Sequence, residues 1–139
     1  MINKIVVHYL DGTIQRGYTT DFQAQKEVFH LVVKKDKQEN SILVNTDNVK
    51  AVFFVKALRG MNQNGHEAQM TFEDEEFKDK NLVGKKVKIE FIDGEVLYGL
   101  TLGYSAQRKG FFFTPIDQET NNERIFAVLH AVKDITFYD

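Results

Sequence analysis

The chain has 139 residues, of which 42% are hydrophobic, and a formal net charge of −2. It contains no cysteine, which excludes disulfide bonds, zinc–thiolate sites and thiol nucleophiles. The near-neutral charge is not that of a strongly basic nucleic-acid-binding domain. No apolar run approaches the roughly 20 residues that a membrane-spanning helix needs. The N-terminus has no signal-peptide pattern, so we expect a soluble, cytoplasmic protein.

The first 58 residues predict five short β-strands. β-Branched and aromatic residues over 4–10 lead into Asp11-Gly12, a dipeptide that favours a tight hairpin turn. The return strand over 13–19 contains Gly17, and a glycine within a strand indicates a bulge or a bend. Three further strands are predicted at 27–35, 41–45 and 49–58, with a polar turn at 36–40.

A segment of different composition follows at 59–83. It is rich in glycine and asparagine at first and acidic later. Residues 67–79 hold six acidic residues against one lysine, a net charge of −5. Such a stretch is typical of a solvated linker. The alternative is an acidic arm that docks on the more basic first 58 residues or on a partner.

Residues 84–139 repeat the pattern of the first 58. At an offset of 82, the Asp-Gly turn and the mid-strand glycine recur as Asp93-Gly94 and Gly99. Near the ends of the two copies the offset becomes 83, which a one-residue difference in a loop explains. From Lys4/Lys86 to Leu31/Phe113, the identical pairs at offset 82 are Lys4/Lys86, Asp11/Asp93, Gly12/Gly94, Gly17/Gly99, Thr19/Thr101, Ala24/Ala106, Gln25/Gln107 and Phe29/Phe111.

Five short antiparallel strands with a bent second strand predict a small sheet that curls closed, because closure removes exposed strand edges. We therefore predict an all-β protein of two tandem small barrels of SH3-like or Sm-like type. The predicted boundaries are 1–58 for the first barrel and 84–139 for the second, joined by an acidic linker at 59–83. The pattern leaves open whether the two barrels share one core.

The order of hydrophobic strand, Asp-Gly and glycine-containing strand resembles the first motif of Sm and Sm-like proteins. NVKAV at 48–52 and AVKDI at 131–135 lie where that family has its second motif. The resemblance implies the barrel fold and RNA binding. RNA-binding members of that family carry an asparagine in the loop after the second strand, which the loops TTDFQAQKE and GYSAQRKG lack. Those members also carry an Arg-Gly or an equivalent in the fifth-strand loop, which VKAV and VKDI lack. The resemblance therefore implies the fold more strongly than the RNA-binding site. The second copy also resembles a stretch of uncharacterised bacterial proteins.

No catalytic or metal-binding constellation stands out in the sequence. There is no phosphate-binding glycine loop, and the four histidines show no metal-ligand spacing. Asp11 and Asp93 could form a carboxylate pair, but each precedes a glycine, where aspartate typically bonds the backbone of a turn. We therefore expect a protein that is not an enzyme and that has no cofactor and no bound metal.

Two phenylalanine-rich stretches favour a binding function. Side chains alternate along a strand, so Phe112 points away from Phe111 and Phe113. Phe112 is then either covered by the other copy or the linker, or part of an apolar contact patch. In FFV at 53–55, Phe53 and Val55 share one face of the strand and Phe54 takes the other. We expect both faces of this stretch to be buried. The turn after Phe112 adds the remaining candidate interaction residues, Asp117, Asn121, Asn122 and Arg124.

Nucleic-acid binding would depend on a basic patch. Lys34, Lys35 and Lys37 flank one turn, where they form either a contact surface or scattered solubilising charge. We expect a protein–protein interaction module or regulatory scaffold, with a protein partner or with further copies of itself. The alternative is Sm-like RNA binding, which the net negative charge predicts to be weak. No membrane partner is expected.

Overall fold

A computed structural model describes residues 2–58, 84–116 and 120–138. The predicted all-β class is confirmed, and short 3₁₀ turns at Thr46–Asn48 and Leu129–Ala131 complete the regular structure of these residues. No helix in the described ranges is long and apolar enough to cross a membrane. The ten strands are β1 Asn3–Tyr9, β2 Ile14–Thr19, β3 Val28–Lys35, β4 Gln38–Asn45, β5 Val49–Val55, β6 Lys85–Phe91, β7 Val96–Thr101, β8 Gly110–Pro115, β9 Asn122–Val128 and β10 Val132–Tyr138.

The described strands form one antiparallel sheet in the order β10-β6-β7-β8-β9-β5-β1-β2-β3-β4. Two separate barrel sheets are not seen, because β5 of the first half pairs with β9 of the second half. The pairs at this junction include Val52 with Phe126 and Phe53 with Ile125. The segment predicted as an acidic linker, 59–83, lies outside the described residues.

The two halves on either side of the junction have the same internal strand order. The first half, residues 2–58, reads β5-β1-β2-β3-β4, and the second, residues 84–138, reads β10-β6-β7-β8-β9. Their registers also agree. Tyr18 pairs with Val32, and the residues 82 positions later, Leu100 and Thr114, form the equivalent pair. The final strands, β5 and β10, correspond at an offset of 83.

The two Asp-Gly turns are built alike, as predicted. In each, the amide N–H two residues further on donates to the aspartate Oδ1, at 2.9 Å for Asp11 and 3.0 Å for Asp93. Gly12 and Gly94 have φ values of 91° and 94°, a conformation that glycine adopts at little cost. Both carboxylates therefore stabilise a turn.

Buried side chains form two clusters, one on each face of β5. Phe53 belongs to a cluster drawn mainly from the second half, and Phe54 belongs to one drawn mainly from the first half. Phe126 of the second half lies in the cluster of Phe54. Every residue of β5 is buried. The expectation that 53–55 is buried on both faces is thus confirmed, and residues of both halves contribute to both clusters.

A nearly buried lysine connects the halves at this junction. The side chain of Lys50 in β5 is only 9% exposed, and its Nζ donates to Asp93 at 2.7 Å and to Glu95. Burial alone lowers the pKa of Lys50, but the hydrogen bonds to both carboxylates outweigh it and raise that pKa above its ordinary value of 10.5. The hydrogen bond from Lys50 is in turn the main influence that lowers the pKa of Asp93 below its ordinary 3.8.

Close strand contacts explain the two mid-strand glycines. A Cβ on Gly99 would lie 2.4 Å from a ring carbon of Phe113 and 2.6 Å from the carbonyl oxygen of Thr114. A Cβ on Gly17 would lie 2.3 Å from the carbonyl oxygen of Val32. The predicted crowding at both positions is confirmed, because a side chain does not fit where the second strand of each half approaches the third.

Replacement of Gly99 tests this crowding. We expect Gly99→Ala to lower the free energy of unfolding by about 1–3 kcal/mol, because Phe113 and the backbone of Thr114 must move. Gly103→Ala is the control, since a Cβ there meets nothing within 4 Å. Urea denaturation of both variants and the wild type measures the effect, and equal stability of the two variants would contradict it.

Replacement of Lys50 tests the junction. We expect Lys50→Met to lower the free energy of unfolding by about 1.5–3 kcal/mol near neutral pH, because hydrogen bonds to two carboxylates are lost. Lys35→Met, at an exposed strand end, is the control for loss of a charge. Urea denaturation at several pH values measures the difference, and a loss no larger than that of Lys35→Met would contradict the role of Lys50.

The same variant has a pH signature. Because the pKa of Asp93 is lowered on folding, its contribution to stability is present above 3.8 and is lost as pH falls through the lowered pKa. Because the pKa of Lys50 is raised, its contribution is present below 10.5 and is lost as pH rises through the raised pKa. The stability difference between wild type and Lys50→Met should therefore be largest at pH values between the ordinary pKa values of Asp93 and Lys50 and shrink at both extremes.

Candidate functional site

A cleft of about 960 Å³ lies at the junction of the two halves. Ala24 and Gln25, from the loop between β2 and β3, line it together with Gln107, Arg108 and Lys109, from the loop between β7 and β8. The two loops occupy equivalent places in the two halves. Because each half supplies part of the lining, the cleft depends on their junction. We call it the junction cleft.

Aromatic residues of β8 and β9 line the junction cleft, and the rings of Phe112 and Phe126, which share one face of the sheet, form its apolar floor. Phe111, Phe112 and Phe113 of β8 and Phe126 of β9 line the cleft. Phe112 is partly buried, and its ring centroid lies 5.0 Å from that of Phe126 and 6.1 Å from that of Phe22 in the first half. The first half covers some of the ring, and the rest belongs to an apolar surface. The predicted role of Phe112 in a contact patch stays a prediction.

The guanidinium of Arg124 stacks on Phe112 of this floor and on Phe54 of β5. Arg124 in β9 pairs with Phe54 in β5, which places both side chains on the face that carries Phe112. Its guanidinium carbon lies 4.3 Å from the ring centroid of Phe54 and 4.5 Å from that of Phe112. Such stacking uses the flat face of the group. The side chain is exposed, so its N–H edge can donate to a carboxylate or phosphate.

Among the described residues that line the cleft, the charged ones are all cations. Arg108, Lys109 and Arg124 line it, and none of the described lining residues is acidic. The Nζ of Lys109 lies 3.5 Å from the Glu27 carboxylate, an exposed pair between the two halves that contributes little stability. An apolar floor with cationic groups around it suits a ligand that carries both apolar surface and negative charge.

Asn121 and Asn122 lie outside the cleft lining. The side-chain amide of Asn121 donates to the carbonyl oxygen of Ala57 at 2.9 Å, and its Oδ1 accepts from the Ala57 N–H at 3.0 Å. Asn122 pairs with Val55 in the ladder between β9 and β5. Both asparagines thus stabilise the end of β5, and their part in ligand binding stays a prediction. Asp117 lies outside the described residues.

The predicted basic patch is also separate from the cleft. The Nζ of Lys34 lies 3.5 Å from Glu39 and 5.3 Å from the ring centroid of Tyr18. Lys34 lines a different depression of about 470 Å³, and neither Lys35 nor Lys37 is part of either lining. The three lysines therefore do not extend the aromatic floor of the junction cleft.

A histidine–carboxylate pair supports one loop of the cleft. The Nδ1 of His30 lies 2.6 Å from Asp21 Oδ2, and the His30 backbone N–H donates to Asp21 Oδ1 at 2.9 Å. Burial raises the pKa of Asp21, but the hydrogen bonds from His30 outweigh it and lower that pKa. This pair anchors the loop that carries Ala24 and Gln25 to β3. In the described part of the chain, no three potential metal ligands lie together.

Comparison with known proteins assigns the chain to a family. Over residues 1–138 the sequence matches DUF6982, described as a family of unknown function. The chain belongs to the DUF6982 family. No curated protein and no solved structure matches it. The family match covers both halves and the junction between them, and it agrees with the predicted likeness to uncharacterised proteins.

Sequence reasoning found only part of the cleft of this DUF6982 member. It singled out Phe112 and Arg124, but it missed Gln25, Gln107 and Arg108. A signal was present, because Gln25 and Gln107 are an identical pair in loops between strands. A side chain repeated in a loop is not needed for strand pairing, so it indicates a role in contacts beyond the sheet.

Replacement of Arg124 tests the stacking. We expect Arg124→Ala to lower the free energy of unfolding by about 1–2 kcal/mol, because contacts with two rings are lost. The stability of Arg124→Lys should lie between those of the wild type and Arg124→Ala. Arg108→Ala, an exposed residue of the same charge, is the control. Chemical denaturation measures all three. A wild-type stability for Arg124→Ala would show that the stacking contributes nothing.

Proposed function

We propose that this protein is a non-enzymatic binding module whose junction cleft takes a segment of a partner protein. In architecture, each half would be a small, bent unit of Sm-like type, and the two units would share one sheet. The identical strand order and the matching registers of the halves support this interpretation. Such a module would act in protein assembly or as a regulatory scaffold.

The observation that carries the proposal is the lining of the cleft. Leu102 is 85% exposed there, beside the partly buried Phe112, so apolar side chains of a ligand would find uncovered apolar surface. Arg108, Lys109 and Arg124 supply positive charge, and the described lining contains no acidic residue. A peptide segment that combines apolar with acidic side chains would match both features.

Single-stranded RNA is the alternative ligand, because aromatic rings and arginines also bind bases and phosphates. Two observations favour protein. First, the guanidinium of Arg124 already stacks on Phe112, so it covers ring surface that a base would use. Second, Lys34, Lys35 and Lys37 lie outside the cleft, and the chain is net negative, so few phosphate contacts are available along one path.

Peptide selection tests the ligand chemistry directly. We expect a phage-displayed library of random peptides, selected on the wild-type full chain, to yield peptides that combine acidic and apolar residues. A labelled selected peptide should bind with a dissociation constant on the order of 10⁻⁶ M in fluorescence anisotropy. Arg108→Glu should weaken that binding by about tenfold or more, because it places a negative charge in the cleft lining.

Lys35→Glu is the matched control, since it makes the same charge change outside the cleft. It should bind the selected peptide like the wild type, and both variants should melt at the wild-type temperature. Enrichment of basic peptides, or unchanged binding by Arg108→Glu, would refute the proposal. Binding of a labelled single-stranded RNA near 10⁻⁸ M at about 100 mM salt, lost in Arg108→Glu, would establish the RNA alternative instead.

A further inference from the structure

The contact between the halves pairs two strand edges. The two equivalent strand edges lie at the outside of the sheet. β5 ends the first half and pairs with β9 of the second half. The counterpart of β5 in the second half is β10, and the counterpart of β9 in the first half is β4. These two strands are the outermost strands of the sheet. Among the described residues, β10 has a strand neighbour only on the β6 side and β4 only on the β3 side.

The equivalence predicts a register for contact between these edges. In the junction, Val52 pairs with Phe126 and Phe53 pairs with Ile125. Subtraction of the 83-residue offset from Phe126 gives Leu43, and its addition to Val52 gives Ile135. A second copy of the chain could therefore place its β4 against β10, antiparallel, with Leu43 opposite Ile135.

Exposed apolar side chains on the two outermost strands are consistent with contact with a strand of a second chain. Phe126 in the junction is 1% exposed, whereas its counterpart Leu43 is 59% exposed. Phe137 in β10 is also exposed, whereas its counterpart Phe54 in β5 is buried. Large apolar side chains on an outermost strand favour pairing with another strand.

The charges at the two edges repeat one of the two ion pairs of the junction, since the counterpart of Glu95 is Thr13. Lys50 in β5 binds Asp93, and the counterparts of these two residues are Lys133 in β10 and Asp11 in the turn after β1. Asp11 is exposed, and the Lys133 side chain is 66% exposed, with its Nζ 3.8 Å from Glu90. In the predicted register, Lys133 of one chain would reach Asp11 of a second chain.

We propose that copies of this chain associate head to tail, with β10 of one copy paired to β4 of the next and Lys133 bonded to Asp11. The contact repeats the internal junction between molecules. It joins two different surfaces, so it extends into a closed ring or an open chain. This inference is independent of the ligand that occupies the junction cleft.

A carboxylate in β10 further distinguishes this contact from the internal junction. Asp134 in β10 takes the place of Ala51, which is fully buried in β5. A carboxylate at a covered position opposes pairing unless it finds a partner. We therefore expect the contact to be weak in the wild type and to be strengthened by Asp134→Ala.

Sedimentation velocity of the full chain tests the proposal by charge exchange. Because the Asp134 carboxylate weakens the contact, the wild type is examined from about 5 to about 500 µM, over which its weight-average sedimentation coefficient should rise. Lys133→Glu and Asp11→Lys should each stay monomeric, because like charges then face each other. The double variant and an equal mixture of the two single variants should associate again, because opposite charges are restored. Asp134→Ala should associate at concentrations about tenfold lower than the wild type.

A monomeric wild type together with a monomeric Asp134→Ala would overturn the proposal. Association of both single variants at the wild-type level would do so too, as would failure of both the double variant and the mixture to recover. Thermal melts confirm that each variant is folded. Lys133→Glu should bind the selected peptide as tightly as the wild type. That result would show that loss of association leaves ligand binding in the junction cleft intact.

Discussion

The pairing of β5 with β9 is the contact on which the rest of the structure depends. It joins five strands from each half into one sheet and buries β5 on both faces. Phe53 and Phe54 can then face two different clusters, and burial of each ring contributes on the order of 2–3 kcal/mol relative to exposure. If β5 were itself an outermost strand, these rings would be more exposed.

Lys50 adds specificity to this pairing. A one-residue shift along a strand moves every side chain to the opposite face. Such a shift would separate Lys50 from Asp93 and Glu95 and leave an ammonium buried without its partners. Because an unpaired buried charge costs far more than a surface ion pair contributes, the lysine disfavours other registers. The apolar side chains supply most of the stabilisation, and the ion pairs select the alignment.

The junction also accounts for the chemistry of the cleft. It places Arg124 of the second half over Phe54 of the first half, and it brings the two equivalent loops to one depression. A ligand in that depression would contact both halves. Its binding would therefore stabilise the junction, in proportion to the ligand concentration relative to its dissociation constant.

Much of the local structure could be predicted from the sequence. The strands, the Asp-Gly turns and the crowding at Gly17 and Gly99 follow from short-range patterns, because strand alternation and turn geometry involve residues close together in the chain. The repeat also indicated that the halves share one pattern of strands. Burial of 53–55 on both faces could be predicted because two phenylalanines in succession need two covered faces.

The arrangement of the halves was decided only by the tertiary structure. Any strand edge with a suitable pattern can pair with another strand edge. No local signal in the sequence therefore selected β9 as the partner of β5, and none predicted one continuous sheet. The cation–aromatic contact of Arg124 with Phe54 joins residues 70 positions apart, and its existence depends on that choice. The sequence by itself therefore determined the strands and their turns. The junction and the cleft depend on contacts between strand edges. These edges have similar sequence patterns, and they differ in the side chains that pack against them in the folded protein.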